Sequence, residues 1–136
     1  MLLNLSASNE LVAKAEYRRS LITSASARGI SGYLYASAGP TESTKDIVFG
    51  GHLLAAENGV LLGENERFNL DGSLLIAEFD LQRLRHDRSQ NSTFRGAARP
   101  EGYTHSHVSQ QPHPALTELR RIVDPHPFVP EDEALF

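Results

Sequence analysis

The 136-residue chain contains no cysteine. Disulfides, thiolate metal sites and cysteine nucleophiles are therefore excluded within it. Long apolar runs are also missing. None approaches the roughly 18 residues that a membrane-spanning helix needs, so no membrane partner is expected. The start, MLLNLSAS, lacks a basic n-region and has too short an apolar run for a secretory signal, which makes the cytoplasm the expected location. There is no excess of basic charge: 13 Lys and Arg stand against 17 Asp and Glu, a net charge of -4. That balance argues against a broad nucleic-acid surface. What remains is 40% hydrophobic and 22% charged, ordinary for a globular protein and long enough for one domain with a usable core.

Composition divides the chain. Residues 1–94 carry periodic patterns, whereas residues 95–136 hold most of the prolines and histidines and read as a linker with one short helix near 115–122. In the first part, Leu2 to Leu5 is a short buried strand that ends at Ser8 or Asn9, either of which can cap the next element. Leu11, Ala15, Ile22 and Ala25 recur at helical spacing up to Arg28, with Lys14, Arg18 and Arg19 largely off that stripe. Gly29 is placed to stop the helix in the left-handed conformation. Tyr33 to Ala36, Ile47 to Glu57, Gly59 to Phe68 and Ser73 to Asp80 read as strands. Asn58-Gly59 is the strongest hairpin signal, and Asp71-Gly72 is a second tight turn. Leu81 to Asn91 is a charged helix capped by Asp80. The expected fold class is mixed α/β. Its first strand is apolar on both faces, so it wants neighbours on both sides. The expected architecture is half of a layered sandwich.

Several residues invite functional readings that their surroundings answer more simply. Ser8 taken alone is a helix cap and Lys14 a solvated lysine. Tyr17, Arg18 and Arg19 are structural, with long basic side chains able to pack their stems and pair with a carboxylate. Glu42 and Ser43 shape a polar loop. His52 is a buried, hydrogen-bonded histidine rather than a base. Glu57, Glu64 and Glu66 alternate along a hairpin as a solvated edge. His105, His107 and His113 could suggest a metal, but they sit in proline-rich surroundings and read as a disordered tail.

The element NLSASN, followed by Lys14-x-x-Tyr17-Arg18-Arg19, resembles the amidase domain of the nitrilase (carbon–nitrogen hydrolase) superfamily. YLYASAGPTEST, IVFGGH, AENG, ERF and the tail RRIVDPHPFVP are more narrowly similar to the family of glutamine-dependent NAD synthetases. The resemblance implies half of a nitrilase-type α-β-β-α sandwich over residues 1–94. Residues 95–136 would be a linker towards a synthetase domain that this chain does not contain. It also implies that the catalytic Glu, Lys and Cys belong to a missing N-terminal half, so no catalytic residue is expected here. Ser8 and Lys14 occupy the positions where the family's serine and basic residue contact glutamine, with Ala13 standing where the family often has glycine. ATP and Mg2+ would be used by the missing synthetase domain, none being bound by this chain. The parent would be a homo-oligomer. A different carbon–nitrogen hydrolase and a non-catalytic binding or assembly module are the alternative readings.

Overall fold

A computed structural model describes residues 1–97, 101–109, 121, 123, 125 and 129. The chain divides into two units, Met1–Pro100 and Glu101–Phe136. In the second, residues 101–109 form no helix or strand, and His105 and His107 are exposed. His113 and, apart from Arg121, the short helix expected near 115–122 lie outside the described residues.

The first unit is built on one four-stranded sheet: β1 (Leu2–Ser6), β2 (Gly32–Ser37), β3 (Leu53–Glu57) and β4 (Val60–Glu64), in spatial order of sequence. β1 and β2 are parallel, with Leu2 opposite Tyr33 and Ser6 opposite Ser37. Parallel neighbours need a crossover, and helix α1 (Lys14–Arg28) supplies it. β2, β3 and β4 then run antiparallel. Asn58 (φ 45°) and Gly59 (φ 90°) make the tight turn between β3 and β4, since both residue types tolerate positive φ. A single 3-10 turn, Pro40–Glu42, follows β2, and two helices, α2 (Leu81–Gln90) and α3 (Ser92–Gly96), close the unit. Asp80 caps α2 by accepting from the Arg83 backbone N–H at 2.8 Å. The mixed α/β class is as expected.

Side chains alternate across the sheet. Tyr33, Tyr35, Leu54 and Ala56 point towards α1 and form the core with Ile22. Leu3, Leu5, Leu34, Ala36 and Leu53 point the other way and, with Leu75, line an open apolar depression of about 330 Å³. On this second face Leu3 is 71% and Leu5 88% exposed, so the first strand forms as expected but is not the buried strand expected.

Five further expectations need correction. The helix begins at Lys14, not Leu11; Leu11 lies outside it and is exposed. Its N-cap is Ala13 with φ 64°, and no side chain caps it, so Ser8 and Asn9 do not play that part. The buried stripe is Arg18, Ile22 and Ser26, which brings in an arginine placed off the apolar face by periodicity. At the helix end Gly29 is right-handed (φ -87°) and Ile30 takes the left-handed position (φ 41°). Gly29 instead sits in a tight place: a Cβ there would lie 3.0 Å from Ser31 Oγ and 3.2 Å from the Ala25 carbonyl oxygen.

The fifth concerns strands. Only Leu53–Glu57 of the long candidate from Ile47 pairs, and Ser73 to Asp80 forms no strand. That segment crosses the second face of the sheet instead of joining its edge. Its apolar residues are used for packing: Phe79 lies over Gly32, where a Cβ would come within 2.7 Å of the ring, and Leu75 lies over Gly63. Glu57 beneath it is buried and accepts from the Asp80 backbone N–H at 2.7 Å. Arg88 on α2 then donates to the carbonyls of Gly29 (2.7 Å) and Ile30 (3.0 Å), covering acceptors left open at the end of α1.

Candidate functional site

Ser8 lies in the loop between β1 and α1 and Lys14 at the end of that loop, as the first residue of α1; the loop's conformation is imposed from outside. The Ser6 carbonyl accepts from Ala38 N–H (2.9 Å), continuing the β1–β2 pairing just past the strands. The Glu10 N–H donates to the Val48 carbonyl (2.7 Å), tying the loop to the segment before β3. Ser37 Oγ approaches the Ser8 carbonyl at 3.5 Å. Three loop residues then meet one guanidinium. Arg18 Nη2 donates to the carbonyls of Ser8 (3.2 Å) and Asn9 (2.8 Å), and Nη1 donates to Glu10 Oε1 (2.5 Å). Lys14 Nζ donates to Asn9 Oδ1 at 2.6 Å, so the ammonium folds back over the same loop.

Arg18 is 3% exposed and the Glu10 side chain 6%, so this is a buried ion pair. A buried charge needs further partners; Arg18 Nε finds none among the described residues, whereas Glu10 does. Glu10 accepts again from Arg67 Nη1 at 3.0 Å through its other oxygen. Gly50 makes the space for it: a Cβ at that position would stand 2.5 Å from the Glu10 carboxylate oxygen. Arg67 is brought near by Asn65, which accepts from Leu53 N–H (2.6 Å) and donates to the Gly51 carbonyl (2.8 Å), and by Phe68 N–H on the Gly50 carbonyl (2.8 Å).

His52 extends the network and is fully buried. Its Nε2 lies 2.7 Å from Glu64 Oε1, and its Nδ1 lies 3.4 Å from Arg18 Nη1. Glu64 also accepts two bonds from Arg19, at 2.7 and 2.9 Å, and Arg19 pairs with Glu16 one turn earlier on the helix. Burial pushes the His52 imidazole below its ordinary range and outweighs the opposing pull of Glu64. Arg19, followed by His52, holds the Glu64 carboxyl below the usual carboxylate range against the effect of burial. The two glutamates together raise Arg19 further above its already high value. His52 thus sits between Arg18 and Glu64, and these two join it to the ion pairs of Glu10 with Arg67 and of Arg19 with Glu16.

The expected structural roles of Arg18, Arg19 and His52 match this arrangement. The expected solvated edge does not hold for Glu57 or Glu64, because both are taken up by internal partners; Glu66 is exposed. Tyr17 is exposed. Ser43 shapes its loop by accepting from Phe49 N–H at 3.0 Å, while Glu42 ends the 3-10 turn. Glu10, Arg67 and Gly50 were not singled out by the sequence. The paired glycines ahead of His52 were the available signal, since a glycine inside an otherwise apolar run marks a close approach.

Chemically the loop offers recognition groups. Both His52 nitrogens face Glu64 and Arg18, so the ring is not turned towards the Ser8 hydroxyl as a base would be. Among the described residues no three His, Cys, Asp or Glu side chains converge as a metal site requires, and no helix is long and apolar enough to cross a membrane.

No protein-family model matches the chain. Among curated proteins it is 39% identical over 137 residues to the glutamine-dependent NAD(+) synthetase of Mycobacterium leprae and 38% identical to that of Mycobacterium tuberculosis. In each case the alignment covers 97% of this chain and 20% of the relative. Among solved structures, glutamine-dependent NAD+ synthetase from Acinetobacter baumannii superposes with a TM-score of 0.52 at 21% identity, covering 62% of this chain and 16% of that one. This last likeness is one of fold. Over nearly its whole length the chain is thus similar to one fifth of a glutamine-dependent NAD(+) synthetase, the family that its own residues resemble.

Proposed function

We propose that this chain is part of the glutaminase portion of a glutamine-hydrolysing NAD(+) synthase and carries one side of its glutamine site. The observation that carries the reading is the 39% identity over 97% of the chain to a synthetase. In this reading the longer protein hydrolyses glutamine to ammonia and passes it to an ATP-dependent amidation of deamido-NAD. ATP and Mg2+ are used in its synthetase portion, and the whole is a cytoplasmic homo-oligomer. Ser8 and Lys14 contact glutamine. A free amino acid loses water from its carboxylate and ammonium when it binds, and both groups then need polar partners. Ser8 offers a hydroxyl at the mouth of β1, and Lys14 offers a cation at the first position of α1.

The amide-cleaving nucleophile is not in this chain, which has no cysteine. A thioester step requires a thiolate. The purified chain is therefore expected to release no ammonia from glutamine beyond a heat-treated control. The positive test is a graft in which this chain replaces the matching segment of the Mycobacterium leprae synthetase. NAD synthesis is then measured with glutamine and with added ammonia. Retention of both activities supports the reading. A folded graft that uses ammonia but not glutamine overturns it.

A further inference from the structure

We infer that Arg18 is a positioning residue for the loop that carries Ser8 and Lys14. This rests on the glutamine reading only for its kinetic consequence; the geometry stands by itself. A single guanidinium reaches three consecutive loop residues: the carbonyls of Ser8 and Asn9 and the carboxylate of Glu10. The same loop residue, Asn9, then receives the Lys14 ammonium at 2.6 Å. Arg18 holds the Asn9 backbone, and the Asn9 side chain holds Lys14. The distance between the hydroxyl and the cation is thereby set from below, by a residue that is itself buried and has no route to a ligand at the surface.

The network behind Arg18 keeps the clamp rigid. Glu10 is fixed from its far side by Arg67 and from the backbone by Val48. A Cβ at Gly50 would stand 2.5 Å from the Glu10 carboxylate oxygen, so a side chain there would displace it. The acceptors are met from two separate nitrogens, Glu10 from Nη1 and the Ser8 and Asn9 carbonyls from Nη2. A lysine ammonium carries its three donors on one nitrogen and lacks this planar fork. Arginine also stays charged whatever its surroundings, so the guanidinium side of the clamp does not titrate.

Hydrogen exchange on the full 136-residue chain tests the positioning directly. In Arg18→Lys the Glu10 amide, bonded to Val48, is expected to lose protection by roughly ten- to a hundredfold, the scale of one charge-assisted hydrogen bond. Amides within β3 should keep theirs. If Arg18→Lys loses protection throughout, the paired change Arg18→Met with Glu10→Gln removes both buried charges and is measured in its place. Unchanged protection at Glu10 with a folded sheet overturns the inference. In the synthetase graft, Arg18→Lys is expected to raise the glutamine KM about tenfold and to leave ammonia-driven synthesis unchanged. A rise for Lys14→Ala with none for Arg18→Lys overturns the positioning role alone. A loosened loop with no effect of Lys14→Ala overturns the glutamine reading and leaves the positioning role standing.

Discussion

His52 Nε2 lies 2.7 Å from Glu64 Oε1 while its Nδ1 faces Arg18 Nη1 at 3.4 Å, so one buried ring separates an anion from a cation. The neutral tautomer with its proton on Nε2 satisfies both sides: it donates to Glu64 and presents a lone pair to Arg18. The imidazolium would place a second cation against the guanidinium.

A pH dependence follows with a definite sign. Folded His52 resists protonation, with its pKa below the ordinary 6.5, because burial disfavours the cation. The unfolded chain takes up a proton that the folded chain refuses, so stability is lost as pH falls below about 7. Glu64 adds to the loss at lower pH, since its folded pKa lies below the ordinary 4.5, chiefly through Arg19. Urea midpoints should be level from pH 7.5 to 8.5 and should decline below 7. In His52→Gln the decline between pH 7 and 5 should shrink. An equal slope in both proteins would show that another group is responsible.

Ala13 is the N-cap of α1 in the left-handed conformation, φ 64°. A Cβ there costs about 1–2 kcal/mol, and glycine avoids the clash at an unfolded-state cost of roughly 0.4–1 kcal/mol. Ala13→Gly is expected to stabilise the chain by about 0.5–1 kcal/mol. Ala13→Val should destabilise it, because a β-branched residue fits this region worst. Thermal melts of the two variants should move in opposite directions. Movement of both in the same direction would contradict the left-handed assignment.

The parts of the fold visible in the sequence are those set by neighbours in sequence. The Asn58-Gly59 turn and the Asp80 cap depend on two to four consecutive residues, and both form as read. Ser73 to Asp80 has the composition of a strand, but it pairs with neither edge of the sheet. Here Leu75 and Phe79 are drawn onto the sheet face over Gly63 and Gly32. The site was half legible. The identity of Ser8 and Lys14 comes from motif resemblance, whereas what holds them does not. Arg18 pairs with Glu10 eight residues away and approaches His52 across 34, and Arg67 reaches Glu10 across 57. No periodicity encodes such pairs, and an arginine on an amphipathic helix is ordinarily assigned to solvent.

The sheet face opposite α1 sets the behaviour of the isolated chain. Leu3 and Leu5 stand exposed on it, beside Leu34 and Leu53 in the apolar depression. Contiguous apolar surface of this kind drives association. The purified chain should bind a hydrophobic dye and self-associate with rising concentration. Leu3→Lys combined with Leu5→Lys should reduce both effects without lowering the melting temperature, since neither side chain is buried. A monodisperse, dye-free wild-type chain would contradict this.

The last prediction separates recognition from support at the loop. In the synthetase graft, Lys14→Ala removes a cation placed to meet the substrate carboxylate. A hydrogen bond to a charged group is worth roughly 1.5–3 kcal/mol, so glutamine-dependent efficiency should fall about ten- to a hundredfold. Ser8→Ala should cost less, because a neutral donor is worth about 1 kcal/mol. Its backbone carbonyl, which Arg18 holds, is untouched by that change. Neither variant should alter synthesis driven by added ammonia, which bypasses glutamine hydrolysis. Each variant is assayed with both nitrogen sources side by side. An equal fall with both sources for Lys14→Ala would mean that Lys14 supports the fold through Asn9, and that glutamine is held elsewhere.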